Sequence, residues 1–417
     1  MKPEIKDKLD EVKALRDARN FNSALSLCQA VKSSDTLEKQ DIILFNHQLA
    51  TLLKYLNRHD EACDICISTL RMSDTIPDYI LAGFANIARI AADFETGAEC
   101  IRRLQALSVS DSINASIIKE HQALLYFGDW LQNPKQEFVV SNVTQVFDKI
   151  HEYHEAQRPL SFLRLGDGEG NILARGEEGY EKIIDEWTRR ILTMQFANLG
   201  ETEISKHAED IFDLVKKATL NADAIGIPNI KALQNPTAPV DRQLGGNIAV
   251  HLFLKRHAAE LQHPLFCDSC ICYDAEFAPM LKQLLVNLDF IGVIGPHSEF
   301  CNRVRGINNK VKFAFHQTPG ENCYFKPSVD HFPTRFNEIC EEISPPYPAA
   351  VYLVGAGILG KYYCELIRVR GGIAIDIGSL MDGISGFSQT RTSLVRLKPI
   401  LDQNFGNSGS TTCHTNS

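Results

Sequence analysis

The stretch AAVYLVGAGILGKYYCELIRVRGGIAIDIG, residues 349–378, decides the fold of this sequence. It reads as a short apolar run, a glycine-rich turn, an amphipathic segment and a second apolar run, which is the order strand, turn, helix, strand. A helix between two such runs joins strands that lie parallel in one sheet. The runs LSFLRL, ADAIGIP, LDFIGVIGP and KVKFAFH alternate with amphipathic segments upstream. The sequence therefore predicts an α/β domain built on a Rossmann-like, largely parallel sheet.

The first 135 residues have a different texture, because apolar residues recur there at three- and four-residue spacing and strand signals are absent. A small residue recurs in an equivalent context at Ala24, Ala62 and Gly97, with offsets of 38 and 35 residues. Paired helices need a small residue where they cross, and these offsets are near the tetratricopeptide (TPR) period of about 34 residues. We therefore expect an all-α, TPR-like helical repeat domain, with an irregular helical bundle as the alternative. Such an array serves docking of a protein partner or self-association.

The chain of 417 residues is thus expected to form a helical repeat domain over 1–135, an α/β catalytic domain over 136–400 and a disordered tail over 401–417. Its net charge of −9, from 43 basic and 52 acidic residues, argues against nucleic acid as a partner. The N-terminal stretch lacks the apolar core of a secretory signal, and no run has the apolar length of a transmembrane helix. We expect a cytoplasmic protein without a transmembrane segment, and a peripheral position at the inner face of the membrane stays open.

The segment RLGDGE follows the strand predicted for LSFLRL, so it lies at the carboxyl end of that strand, where parallel sheets bind ligands. The carboxylates of Asp167 and Glu169 are hard oxygen ligands that suit Mg²⁺ or Mn²⁺ bridging to a diphosphate. Glycines beside them let backbone amides approach a phosphate, and Arg164 supplies a further positive charge. The site residues expected from this segment are Arg164, Gly166, Asp167, Gly168 and Glu169. The alternative is an acidic turn that only caps the following helix.

The glycine pattern Gly355-x-Gly357-x-x-Gly360 lies between the last two predicted strands. In a Rossmann-type turn the amides at the helix start face an anion, and an acidic residue after the next strand reaches a ribose hydroxyl. Gly355, Gly357 and Asp376 are therefore expected to bind a nucleotide. A tight turn whose glycines only permit packing is the structural alternative. An NAD(P)-dependent oxidoreductase that uses this turn is an alternative function.

Two further loops follow predicted strands, and each carries a histidine. Gly295 and His297 follow the strand in LDFIGVIGP, and His316 ends KVKFAFH. All three would lie on the same rim of the sheet as Asp167, where a histidine can bind a diphosphate or move a proton. A structural or solvated role for each histidine is the alternative.

The twelve cysteines are scattered along a chain that we expect in a reducing compartment, so most thiols are expected to be free. The group His263, Cys267, Cys270 and Cys272 has residue types that hold zinc or form a redox pair in other proteins. No second cysteine knuckle follows at ribbon spacing, which argues against a structural zinc.

The segments FLRLGDGEGNILARG and LVGAGILGKYYCELIRVRGGIAIDIGSLMDG together resemble the bacterial GT-D-fold glycosyltransferases, which carry an R-x-G-D-G-E block and a closing D-I-G block. The resemblance covers about residues 140–390. It implies a GT-D-type catalytic domain in which Asp167 and Glu169 bind a divalent metal and a nucleotide sugar, while Arg164 and Gly166 shape the site. Leu165 departs from the family pattern, in which an aromatic residue is commoner at this position.

The resemblance implies metal-dependent transfer of a hexosyl unit from a nucleotide diphosphate sugar, with a UDP-sugar as the expected donor and Mn²⁺ or Mg²⁺ as the cofactor. The expected acceptor is a glycan or glycoprotein, in bacterial surface polysaccharide biosynthesis or protein glycosylation. Asp167, Glu169 and His297 are the expected catalytic residues, and Glu169 and His297 are candidates for the base that takes the acceptor proton. Besides the oxidoreductase, a non-catalytic TPR scaffold is an alternative.

Overall fold

A computed structural model describes residues 2–32, 37–91, 93–107, 138–176, 188–189, 191–196, 201–229, 244–320, 330–388 and 391–406. The chain divides into two compact units. We call residues 1–134 with 230–245 the helical unit, and residues 135–229 with 246–417 the sheet unit.

The helical unit has six described helices, which are α1 (Pro3–Asp17), α2 (Phe21–Lys32), α3 (Lys39–Tyr55), α4 (His59–Met72), α5 (Asp78–Ile90) and α6 (Phe94–Ala106). They form three successive pairs, α1 with α2, α3 with α4 and α5 with α6, and the two helices of each pair pack together. Arg19 and Asn57, in the turns of the first two pairs, both have a φ of 60°. This left-handed conformation is typical of a residue that ends a helix.

The small residues of the predicted repeat occupy matching places in these pairs. Ala24, Ala62 and Gly97 are each the fourth residue of the second helix of a pair, and all three are buried. A small side chain at this place lets the neighbouring helix approach closely. The all-α character of the N-terminal region is therefore confirmed, and its identity as a TPR array stays a prediction.

The described part of the sheet unit has eight strands, which are β1 (Val140–Ser141), β2 (Leu160–Arg164), β3 (Ala224–Ile227), β4 (Leu265–Asp268), β5 (Phe290–Gly295), β6 (Lys312–Gln317), β7 (Val351–Val354) and β8 (Ile373–Asp376). They form one sheet in the order β1-β4-β3-β2-β8-β7-β5-β6, and all neighbouring strands are parallel. The predicted α/β domain with a Rossmann-like parallel sheet is therefore confirmed. All carboxyl ends meet at one edge, where β2 is flanked by β3 and β8.

Ten described helices accompany the sheet, which are α7 (Val143–Glu155), α8 (Asp167–Leu173), α9 (Glu201–Leu220), α10 (Leu244–Arg256), α11 (Phe277–Leu285), α12 (Glu299–Ile307), α13 (Phe336–Glu342), α14 (Gly360–Val369), α15 (Leu380–Ile384) and α16 (Thr392–Phe405). Alternate strand residues enter two separate hydrophobic clusters; Val351 and Leu353 enter one, and Tyr352 and Val354 enter the other. The first cluster includes α7, α11, α12, α15 and α16, and the second includes α8, α9, α10, α13 and α14. Helices therefore cover both faces of the sheet. Across the described ranges, no helix combines the length and apolarity needed to cross a bilayer.

The helix α16 corrects the predicted start of the C-terminal tail. It runs to Phe405, and the side chains of Leu401 and Phe405 are buried in the same cluster as α11. Burial of these side chains removes apolar surface from water, so residues 401–405 belong to the folded domain rather than to the tail. Residues 407–417 of the predicted tail lie outside the described residues.

Candidate functional site

The GDGE segment forms the junction between β2 and α8. Arg164 is the last residue of β2, Gly166 is the N-cap of α8, and Asp167 is its first residue. The backbone N–H of Gly166 donates a hydrogen bond of 2.9 Å to Oε2 of Glu169, which closes the first turn as in a capping box. Acidic residues in this first turn are also favoured by the helix dipole. The local sequence therefore starts a helix directly at the carboxyl end of the strand.

This early helix start places both carboxylates in the first turn of α8, where Glu169 is close enough to raise the pKa of Asp167. Residues at i and i+2 of a helix point to different sides, whereas residues at i and i+4 share a face. Asp167 and Glu169 stand at i and i+2 of α8, while Asn171 stands at i+4 from Asp167. Asn171 is 3% exposed, and its Oδ1 has no hydrogen-bond partner within the part of the chain that the structure describes. The sequence pattern alone does not indicate Asn171, because its relation to Asp167 depends on where the helix begins.

A glycine contact fixes α8 against α10. A Cβ atom on Gly170 would lie 1.7 Å from the backbone oxygen of Gly246, and one on Gly246 would lie 2.3 Å from the backbone oxygen of Asp167. Glycine is therefore required at both positions, because no side chain fits between the two backbones. The contact holds the start of α8 in place.

A buried lysine connects the GDGE segment to the end of β8. Nζ of Lys361, on α14, lies 2.9 Å from Oε1 of Glu169 and 2.8 Å from Oδ2 of Asp376. It also donates a hydrogen bond of 3.3 Å to the backbone oxygen of Gly357. Lys361 is 4% exposed, Glu169 9% and Asp376 2%. The sequence pattern does not indicate Lys361, because a lysine at the start of an amphipathic helix normally faces solvent.

Arg164 is the second basic residue that contacts Asp376, besides Lys361. Its backbone N–H donates to Oδ2 of Asp376 at 3.2 Å, and its Nε donates to the backbone oxygen of Asp376 at 3.0 Å. Its Nη1 donates to the backbone oxygen of Ser269 at 3.0 Å and to Sγ of Cys272 at 2.7 Å. A Cβ atom on Gly378 would lie 1.8 Å from Nη2 of Arg164, so glycine makes room for the guanidinium. Arg164 therefore joins β2 to β8 and to the loop after β4.

The oppositely charged side chains of this cluster stabilise one another's charged forms. Burial raises the pKa of the Asp376 carboxyl, but Lys361 and Arg164 lower it by more, so the pKa lies below its ordinary value. Burial lowers the pKa of Lys361, but Asp376 and Glu169 raise it by more, so it lies above its ordinary value. Two positive and two negative side chains thus balance in a buried, four-residue cluster.

Asp167 is not a member of this charge-balanced cluster. Burial and the neighbouring Glu169 raise the pKa of its carboxyl from 3.8 to about 6, although Arg391 and nearby backbone amides lower it in part. The salt bridges of Lys361 and Arg164 go to Glu169 and Asp376 and not to Asp167. A carboxyl with a raised pKa at the carboxyl edge of a parallel sheet is typical of a functional site.

The oxygens that a divalent cation could use follow from these contacts. Both oxygens of Glu169 are engaged, one by the Gly166 amide and one by Lys361. Both oxygens of Asp376 are engaged by Arg164, Lys361 and the Gly378 amide. The carboxylate of Asp167 and the amide oxygen of Asn171 are hard oxygen donors of the type that Mg²⁺ and Mn²⁺ prefer. The site fits a divalent cation at Asp167, and the cation itself stays a prediction.

The glycine turn after β7 packs tightly against neighbouring parts of the protein. A Cβ atom on Gly355 would lie 3.0 Å from the backbone oxygen of Gly378. Gly357 has a φ of 57°, and a Cβ atom on it would lie 2.2 Å from Oε1 of Gln195. Packing therefore accounts for both glycines. Their contact with a nucleotide, and that of Asp376 with a ribose, stay predictions.

The loop after β5 contacts the segment after β8. Nε2 of His297 lies 3.3 Å from Oδ1 of Asp382, and the imidazole stacks on Phe387 with 4.3 Å between ring centroids. A Cβ atom on Gly295 would lie 2.1 Å from Sδ of Met381, so this glycine also serves packing. The Asp382 carboxylate thus lies close to the imidazole, and the stacking on Phe387 restricts the plane of the ring. The predicted roles of Gly295 and His297 in ligand binding and catalysis stay predictions.

His316 lies on β6, at the edge of the sheet. Its Nδ1 is 2.9 Å from Oε2 of Glu342 on α13. Four strand spacings separate β6 from β2, which amounts to about 19 Å at about 4.8 Å each. The strand order therefore places His316 on the same rim as Asp167 but far along it, and its contact with the donor stays a prediction.

The cysteine group after residue 263 does not assemble around a metal. Cys267 is buried in β4, Cys270 is exposed, and Cys272 contacts Arg164. Burial raises the pKa of the Cys272 thiol to about 11, which disfavours the thiolate that zinc requires. In the described ranges, His, Cys, Asp and Glu side chains do not converge in groups of three or more that could hold a metal ion.

The comparisons with known proteins give one match. A family model described as a GT-D fold-like domain, GT-D-like, matches residues 141–384. Curated proteins and solved structures give no significant match. The matched range runs from the end of β1 to the end of α15, so it contains the GDGE segment, Lys361 and the D-I-G block.

Proposed function

The chain belongs to the GT-D-like family, and from this premise we propose that it transfers a hexosyl unit from a nucleotide diphosphate sugar to a hydroxyl of a glycan or glycoprotein. A UDP-sugar is the proposed donor, and Mn²⁺ or Mg²⁺ is the proposed cofactor. The observation that carries the proposal is the buried cluster of Arg164, Glu169, Lys361 and Asp376. It joins the GDGE segment, the glycine turn and the D-I-G block beside Asp167, at the edge where parallel sheets bind ligands.

Asp167 would hold the divalent cation at the carboxyl end of β2. When bound, such a cation neutralises charge that develops on the departing diphosphate. The Gly166 amide is bound to Glu169, and Gly166 and Gly168 carry no side chain that would keep a phosphate away from Asp167. Arg164 and Lys361 fix this loop through Asp376 and Glu169, which keeps the site in the geometry that the reaction needs.

A base is required if the acceptor hydroxyl attacks directly. Of the two predicted candidates, Glu169 has both oxygens engaged by Gly166 and Lys361, whereas His297 lies beside Asp382 and stacks on Phe387. Histidine is the side chain that most often serves as a general base in enzymes. His297 is therefore the better supported candidate for the base.

The alternative of an NAD(P)-dependent oxidoreductase has weaker support. A Rossmann-type nucleotide site uses the acidic residue after the second strand for the ribose hydroxyl. Asp376 occupies that place, but its carboxylate is buried and engaged by Lys361 and Arg164. Saturable NADH binding that is lost on Gly357→Ala would favour the oxidoreductase.

We further propose that the helical unit binds a protein partner or a second copy of the chain, and that the reaction takes place in the cytoplasm or at the inner face of the membrane. The setting would be bacterial surface polysaccharide biosynthesis or protein glycosylation. Paired helices that repeat along the chain are a common docking surface, which supports this role.

The proposed function is tested by incubating the full chain with UDP-, GDP- and dTDP-hexoses and Mn²⁺, and measuring release of the nucleoside diphosphate. We expect release from a UDP-hexose that stops in EDTA. Asp167→Asn should lower release at least about 100-fold, because the lost cation contributes several kcal/mol. Asp148→Asn, at an exposed carboxylate of α7, is the control and should retain full release. Release unaffected by EDTA and by Asp167→Asn would exclude this mechanism.

A further inference from the structure

A cavity of about 450 Å³ lies in the helix layer of the sheet unit. It is formed by α9, α13, α14 and the turn His331–Arg335 that precedes α13. The residues that line it do not include Asp167 or any member of the buried four-residue cluster. Its volume is in the range of small-molecule sites, which is about 300–1,000 Å³. The cavity is therefore large enough for a small ligand and is separate from the GDGE segment.

Three aromatic rings from different elements form one wall of this cavity. Phe332 and Phe336 are each 5% exposed, and their ring centroids are 5.3 Å apart. The ring of Tyr362, on α14, is half-buried, and its centroid is 5.6 Å from that of Phe336. The face of an aromatic ring is apolar and carries partial negative charge, so it attracts the C–H groups of a flat ligand.

Polar side chains of α9 and α13 surround the aromatic wall. Asp210 and Asp213 stand three residues apart on α9, so they share a face of that helix, and both are exposed, as is Asn337 on α13. Nδ1 of His207 is 3.5 Å from Oδ2 of Asp210 and has no hydrogen-bond partner among the described residues. Within the same ranges, no hydrogen bond or ion pair occupies the side chains of Asp213 and Asn337. The rim thus offers carboxylate and amide groups to the hydroxyls of a ligand.

The wall and the rim together select one class of ligand. An anionic ligand would be repelled by the two carboxylates of α9. A cationic ligand would meet Lys217, whose Nζ already lies 5.9 Å from the centroid of the Tyr362 ring. A wholly apolar ligand would displace water from the polar rim without replacing its hydrogen bonds. A neutral ring with a C–H face and several hydroxyls satisfies both the wall and the rim, and this description fits a sugar.

The cavity lies beside the start of α14, which also carries a residue of the buried cluster. Tyr362 directly follows Lys361, and Lys361 binds Glu169 at the carboxyl edge of the sheet. Lys361 is buried between the strand ends, whereas Tyr362 lines the cavity in the helix layer. A chain of sugar units held in the cavity can therefore extend along the start of α14 toward the edge where the donor is proposed to bind.

We propose that this cavity binds a hexose unit of the glycan acceptor, with the sugar ring stacked on Tyr362 and its hydroxyls bound by Asp213 and Asn337. This inference rests on the proposed function, and it adds a second sugar site to that of the nucleotide sugar. The cavity holds one unit of the acceptor chain, while another unit presents the hydroxyl that receives the hexosyl group.

The test measures binding of the methyl glycosides of glucose, galactose, mannose and N-acetylglucosamine to the full chain. Saturation-transfer NMR in EDTA and without nucleotide records this binding, and we expect saturable binding of at least one glycoside. Tyr362→Leu should weaken it about tenfold or more, because the aromatic face is lost, whereas Tyr362→Phe keeps the ring and should stay within about threefold of the wild type. Asp213→Ala, at an exposed position, should weaken it at least about threefold, because a hydrogen bond to a carboxylate is lost.

Tyr153→Leu and Asp148→Ala are the matched controls. Tyr153 is half-buried on α7, against the hydrophobic cluster on the opposite face of the sheet, and Cζ of Arg158 lies 4.2 Å from its ring centroid. Asp148 is exposed on the same helix. Both variants should bind the glycoside as the wild type does. The melting temperature of each variant separates a loss of binding from a loss of folding.

Two further measurements locate the bound sugar and test its role. A UDP-hexose should not displace the glycoside, because the two ligands occupy different sites. In transfer assays with the same glycoside as acceptor, its KM should rise in Tyr362→Leu by about the factor by which binding weakens.

Four results overturn the inference and leave donor turnover standing. These are absence of glycoside binding, binding that survives Tyr362→Leu and Asp213→Ala, displacement by a UDP-hexose, and an unchanged KM or no transfer to the glycoside that binds. Glycoside binding with the expected pattern, but without nucleotide release from UDP-, GDP- or dTDP-hexoses, counts against the proposed function and leaves the sugar site standing.

Discussion

Replacement of Asp167 by asparagine should stabilise the sheet unit at neutral pH while it removes donor turnover. The ordinary pKa of an aspartate is 3.8, and burial and Glu169 raise that of Asp167 to about 6 in the folded protein. Folding therefore favours the protonated form. The wild-type protein loses stability as pH rises from about 4 through about 6, and it carries the full penalty at higher pH.

The size of the effect follows from this difference in pKa. Each pKa unit corresponds to about 1.4 kcal/mol, so the penalty is about 3 kcal/mol at pH 8 and below about 1 kcal/mol near pH 4. Asparagine is neutral at every pH and does not carry the penalty. For a domain of this size, about 3 kcal/mol corresponds to a rise in melting temperature of about 6–12 °C.

Thermal unfolding in EDTA between pH 4 and pH 8 measures this difference without a bound cation. Asp167→Asn should melt at a higher temperature than the wild type at pH 8, and the two curves should converge toward pH 4. Asp148→Asn, an exposed position on α7, controls for the loss of one negative charge and should follow the wild type. An Asp167→Asn protein that is no more stable at pH 8, or whose advantage is the same at pH 4, would show that ionisation of Asp167 does not destabilise the folded chain.

Substitutions at Gly170, Phe405 and His297 test two packing contacts and the proposed base. Gly170→Ala should lower the free energy of unfolding in urea by about 1–3 kcal/mol, because its Cβ has no room against α10. Gly168→Ala is the control and should be nearly neutral, because the nearest neighbours of its Cβ are 3.9 Å away. Equal losses in the two variants would contradict the contact between Gly170 and Gly246. Phe405→Ala should lower the free energy of unfolding by about 3–5 kcal/mol, because the side chain is 2% exposed. Val395→Ala is the control and should lower it little, because that side chain is 55% exposed. No loss of stability in Phe405→Ala would mean that residues 401–405 do not pack into the folded domain. His297→Asn should lower kcat by about 100-fold or more with little change in donor KM, and an unchanged kcat would exclude His297 as the base.

The fold was predictable where strand and helix carry distinct apolar periods. β2, β3 and β5 to β8 coincide with the apolar runs of the sequence, because buried parallel strands need continuous apolar residues. β1 and β4 were not predicted. β1 has only two residues, and β4 is the run LFCD, in which one residue is fully buried and the others are partly exposed, so neither has a recognisable pattern.

The candidate site was predictable in part, because motif residues can be found before their partners are known. The GDGE segment places Asp167 and Glu169, and the D-I-G block places Asp376. Lys361 could not be found, because only the fold brings its amine between carboxylates that lie 192 positions before it, at Glu169, and 15 after it, at Asp376. The separation of His316 from Asp167 was equally hidden, because local patterns do not determine the order of strands in a sheet.

A crystal structure of the chain with UDP and Mn²⁺ would show where the donor binds. We expect the diphosphate at the carboxyl end of β2, with Mn²⁺ between its oxygens and Asp167, and with Lys361 still bound to Glu169 and Asp376. UDP bound away from Asp167, for example along the Gly355–Gly360 turn without contact to α8, would contradict it.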